Sequence, residues 1–236
     1  MTSSSISART SSKKMWLARH PESGGVMIAA VAWIILVVQH WSDHASPVGP
    51  WRFDVANWSL MVVAMMLPGV LPVMRRIGFV SRRSWIRRAP LIFAASYLGV
   101  WIVVGLAAAG AVAALSPLNP PAPGPPHLTA AILLVAAGWQ LTSTKRNFLA
   151  ARHQDVPLAP RGWPAARSLL ILGVRHAQAC AGSCWAMMAA MFAAGHDLHL
   201  MVPLTVVVVA ERWPRLPNPA IGAVALSALA LVSILG

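Results

Sequence analysis

His176, Cys180 and Cys184 recur every fourth residue along an apolar stretch running from Gly173 to Gly195. At about 100° per residue, a helix brings the three within an arc of roughly 80°. Met187 and Met191 fall inside the same arc. One helix face would carry an imidazole, two thiols and two thioethers, and the chain has no other cysteine. Thiolate and imidazole together suit Cu(I) and Zn(II), and thioether sulfur adds a preference for Cu(I). The alternative is packing: cysteine is a small buried hydrophobe and His176 a hydrogen-bonding group near one end. A Cys180–Cys184 disulfide is a lesser option, since helical i, i+4 Cα atoms lie about 6 Å apart but the bond would be strained.

A second sulfur set precedes this one. Met61 and Met65 lie one turn apart, and Pro68 and Pro72 follow. The two prolines remove two backbone donors, so a helix here must kink and leave the carbonyls of Ala64 and Pro68 without their usual intrahelical partners. Thioethers beside such a break are candidate Cu(I) ligands, although methionine also fills irregular gaps well.

A weaker set gathers on what is expected to be the outer side. It comprises His40, Asp43 and His44, then Asp54 and His127, then His196, Asp197 and His199. The spacings of His40/His44 and His196/His199 are those of helical metal ligands. Glu211 and Arg212 suggest an ion pair at a span end. Gln140, Thr142, Ser143 and Thr144 suggest interhelical hydrogen bonds.

The elements that must position these groups are apolar helices. Of 236 residues 57% are hydrophobic and 11% charged, with a mean hydropathy of +0.63. Several runs approach the ~20 residues needed to cross a ~30 Å hydrocarbon core. The expected fold is all-α, a polytopic transmembrane bundle of about seven (six to seven) spans near 25–41, 55–74, 90–115, 128–145, 168–195, 198–213 and 219–236. Residues 1–22 read as a disordered basic cytoplasmic tail and 23–236 as a single transmembrane domain, with no cleavable signal peptide.

Charge supports that layout. With the N-terminus cytoplasmic, all but Arg52 and Arg175 of the 19 basic residues fall in the tail or beside inner loops, as the positive-inside rule requires. The net charge of +13 is thus directed at anionic lipid rather than nucleic acid. No Gly-rich phosphate loop, hydrolase triad or glycosidase carboxylate pair is present, and an enzyme is not expected.

The run from Leu60 to Pro68 resembles part of an uncharacterised bacterial family described as predicted metal-binding integral membrane proteins. So do Gln140 to Arg146, the run from Gly173 to Met188, and Glu211-Arg212. The resemblance covers most of residues 55–215. Family members commonly carry an additional cysteine where this chain has Ser183, which removes one possible thiolate. The resemblance implies a helical membrane fold in the bacterial cytoplasmic membrane and a metal role, without supplying a reaction.

Together these readings predict a protein that binds or hands on a soft metal, copper ahead of zinc. His176, Cys180, Cys184, Met61, Met65, Met187 and Met191 are the expected ligands, and His40, His44, His196 and His199 a weaker outer set. The lipid bilayer and a metal-delivering protein or larger membrane complex are the expected partners. A non-catalytic accessory subunit of a larger membrane enzyme or transporter is the main alternative. Electron transfer through a haem held by His176 and a methionine is a third.

Overall fold

The computed structural model describes residues 20–43, 54–81, 84–115, 126–151, 162–195, 197–212 and 219–235. Among these residues the fold is all-α, without strands. The helices are α1 (Ser23–Asp43), α2 (Val55–Met66), α3 (Leu71–Val80), α4 (Arg88–Leu115) and α5 (Pro126–Gln140). They continue with α6 (Ser143–Ala151), α7 (Gly162–Ala193), α8 (Leu198–Ala210) and α9 (Pro219–Leu235). Asp54 caps α2 by accepting from the amides of Ala56 and Asn57, and Asp197 caps α8 through His199. Gly162 and Gly195 bracket α7 with φ of 67° and 64°, the left-handed region that glycine adopts without penalty.

The 32-residue α7 is the hub and packs against α4, α5, α6 and α8, while α5 pairs with α9 and α2 with α1 and α4. Close approach depends on small residues, as at helix interfaces generally within apolar bundles. A side chain at Gly173 of α7 would overlap Ser96 Oγ and the Phe93 carbonyl of α4.

The proline pair breaks the second hydrophobic run as expected. A 3₁₀ turn, Pro68–Val70, separates α2 from α3, and the two helices bend by 41°. The orphaned Ala64 carbonyl accepts from the Trp33 indole at 3.0 Å. The Pro68 carbonyl accepts instead from the Leu71 amide, a 3₁₀ bond.

The expected count of about seven spans is not supported. Two helices among the described residues, Ser23–Ser42 and Arg88–Ala111, are long and apolar enough to cross a membrane, or three if the bent α2–α3 pair is one span. At 1.5 Å per residue, α8 is about 20 Å long, α5 about 22 Å and α9 about 26 Å, each below the ~30 Å of a hydrocarbon core. The length of α7 suffices, but Arg175, His176 and Gln178 interrupt its apolar run. Residues 1–19 lie outside the described residues, but Glu22 is largely buried beside His20 and Arg75, at 3.2 and 3.8 Å.

Candidate metal centre

Four elements meet around Cys180. The Tyr97 hydroxyl of α4 donates to Cys180 Sγ at 3.1 Å, and the Cys180 thiol points to Met66 Sδ at 3.9 Å. Arg212, just past α8, donates through Nη2 to Cys180 Sγ and approaches Met66 Sδ at 3.5 Å. Its Nη1 donates to the Met66 carbonyl at 3.0 Å. That carbonyl needs a donor because the Val70 amide turns to Leu67 in the 3₁₀ turn. One turn along α7, Cys184 lies 3.5 Å from Ser183 Oγ, which also donates to the Cys180 carbonyl at 2.9 Å. Both cysteines are free thiols, so the disulfide option is not taken up, and both are buried.

A polar network flanks the thiols where α5 and α8 end at one level. Lys145 is 1% exposed and reaches both carboxylate oxygens of Glu211, at 2.9 and 2.8 Å. Gln140 bridges the pair, accepting from Lys145 and donating to Glu211. The structural ion pair expected at Glu211 forms with Lys145, while Arg212 turns to sulfur.

The stripe on α7 does not gather into one ligand cluster. Among the described residues, no three His, Cys, Asp or Glu side chains converge as a metal site. Helical rise is the reason. Positions i and i+8 share a face but lie about 12 Å apart along the axis. His176 instead packs against the rings of Phe93 and Tyr97, at centroid distances of 5.7 and 6.0 Å. Met61, Met65, Met187 and Met191 are all buried, but the thioether that reaches Cys180 belongs to Met66.

The weaker outer set is partly assembled. The rings of His40 and His199 meet edge to face at 5.4 Å. A cavity of about 330 Å³ next to them is lined by Gln39, His40, Asp54, Asn57, Asp197 and Met201, among others. His44 and His196 lie outside the described residues.

Sequence reasoning missed Tyr97, Lys145 and Met66. Tyr97 is the only tyrosine of the chain and stands in an apolar run, where a lone hydroxyl needs a partner. Lys145 closes the predicted span 128–145, where the charge pattern reads a basic residue as facing the inner loop.

What the cluster offers chemically is soft sulfur under a fixed positive charge. Metal–sulfur bonds are about 2.3 Å, so sulfurs 3.9 Å apart can share one ion between them. A family model described as a copper chaperone, PpoB2, matches residues 55–235. The chain belongs to this copper chaperone family. Comparison with curated proteins and with solved structures gives no significant match.

Proposed function

We propose that this member of the copper chaperone family is a non-enzymatic protein embedded in the bacterial cytoplasmic membrane that carries Cu(I) as cargo between Cys180, Cys184 and Met66. The observation that carries the reading is the buried contact of a thiol and a thioether from different helices, 3.9 Å apart. Two thiolates and a thioether are soft donors that select Cu(I) over harder ions. His176 then supports the site through Tyr97 rather than binding the ion. Met61, Met65, Met187 and Met191 form a polarisable apolar surround.

Membrane embedding is supported by the outward faces of the bundle. On α1, Met27, Val31, Ile34 and Val38 are all exposed, and α4 exposes Leu91, Val103 and Leu106. A helix bundle as apolar outside as inside is suited to lipid. In this reading α1, α4 and the bent α2–α3 pair cross fully. Helices α5 and α8 stop short because their polar ends, Gln140 and Glu211, are satisfied inside the protein, where irregular backbone is tolerated. The N-terminus is cytoplasmic. The cavity beside His40 and His199 opens at the other end of the bundle and serves as a receiving point for metal from a donor protein.

X-ray absorption on Cu(I)-loaded protein tests the ligand set. The reading requires a first shell of sulfur alone, with two to three scatterers near 2.3 Å. A shell dominated by nitrogen would move the cargo to the histidines and overturn it.

A further inference from the structure

The charges buried around the thiols can be counted. Arg212 contributes one positive charge that no ordinary pH removes. Lys145 and Glu211, joined at 2.8 Å, cancel. Holding a soft ion on Cys180 and Cys184 requires both as thiolates, which leaves the cluster one negative charge in excess. A monovalent ion brings the sum to zero, whereas a divalent ion leaves an uncompensated positive charge in a buried, apolar surround. Low effective dielectric makes such an excess far costlier than in water.

We propose that Arg212 sets the valence of the cargo: its guanidinium, lodged on Cys180 Sγ and Met66 Sδ, makes the site neutral with Cu(I) and repels Zn(II) and Cu(II). Sulfur softness alone does not produce this discrimination, because thiolates bind Zn(II) well. The position of the arginine is built. One arm is tied to the Met66 carbonyl at 3.0 Å, and Gly69 leaves space for it that any side chain would fill. The inference rests on the proposed thiol site and specifies which ions that site accepts.

The test uses the full chain in detergent under reducing conditions, titrated with Cu(I) and with Zn(II) against chromophoric competitors. Arg212→Gln removes the charge and Arg212→Lys keeps it. The ratio of Zn(II) to Cu(I) dissociation constants should fall at least about tenfold in Arg212→Gln, because one buried charge is gone. In Arg212→Lys it should stay within about threefold of wild type. A merely structural arginine would weaken both ions together and leave the ratio unchanged, which would overturn the inference.

Should Arg212→Gln not fold, wild-type protein still decides the question with two other thiophilic ions. Ag(I), soft and monovalent, should bind as Cu(I) does, and Cd(II), soft but divalent, should bind at least about tenfold more weakly. Equal binding of the two overturns the role of Arg212 while leaving the thiol site standing. Cu(I) binding by Cys180→Ser/Cys184→Ser as tight as that of wild type shows that copper sits elsewhere, and overturns both readings.

Discussion

Arg212 donates from Nη1 to the carbonyl oxygen of Met66 at 3.0 Å, closing a hydrogen-bonding gap opened by a turn 146 residues earlier in the chain. The same guanidinium rests on the Cys180 sulfur. A helix break and a candidate metal centre are therefore held by one side chain. The break places Met66 beside Cys180 and supplies the acceptor that fixes the arginine there.

Gly69 makes that seat possible. A Cβ at this position would overlap the Arg212 side chain, so Gly69→Ala should cost about 1–3 kcal/mol, the usual range for overpacking. It should also reduce copper retention. Thermal unfolding in detergent with metal analysis of the same sample checks both. An unchanged melting temperature together with full copper content would contradict the arrangement.

Methionine-to-leucine exchanges separate ligand from filler, since this swap costs less than about 1.5 kcal/mol where volume alone matters. Met66→Leu is expected to weaken Cu(I) binding about tenfold, equivalent to about 1.4 kcal/mol. Met61→Leu and Met65→Leu should leave it unchanged within about twofold, the same relation giving roughly 0.4 kcal/mol. Competition titrations on the three variants read the difference directly.

Lys145 and Glu211 form a buried ion pair whose members are 1% and 15% exposed. Lys145→Met alone should destabilise the fold by about 3–5 kcal/mol, because it strands a buried carboxylate. Lys145→Met/Glu211→Gln should recover most of that loss. A double-mutant cycle in chemical denaturant gives the coupling, and additive single effects would argue against the pair.

Trp33 donates to the Ala64 carbonyl that Pro68 leaves without its helical partner. Trp33→Phe keeps the ring but removes the donor, and should cost about 1–3 kcal/mol, the penalty for an unsatisfied buried acceptor. A neutral result in thermal unfolding would mean that the carbonyl finds another donor.

Much of this organisation is legible in the sequence. Pro68 and Pro72 forecast the break and name the Ala64 carbonyl as orphaned, because the loss of a proline N–H is a purely local matter. The donor that repairs it, Trp33, is a tertiary fact. The angular position of His176, Cys180 and Cys184 on one face also follows from local geometry. Their failure to converge follows from axial rise, which an angular projection discards. Met61 and Met65 share a face by spacing, yet Met66 reaches the thiol because it ends α2 where the chain turns into the 3₁₀ segment. The charge pattern misleads for Lys145 and Arg212. A basic residue at the end of an apolar run reads as loop, whereas here both turn inward to buried partners.

The most direct test is the copper content of purified protein reconstituted with Cu(I) under reducing conditions, measured by elemental analysis beside the Cys180→Ser/Cys184→Ser variant. The account predicts about one copper per chain, the number a single thiolate pair holds, and its loss from the variant. Wild-type protein that retains no copper, or a double variant that retains as much as wild type, would contradict it.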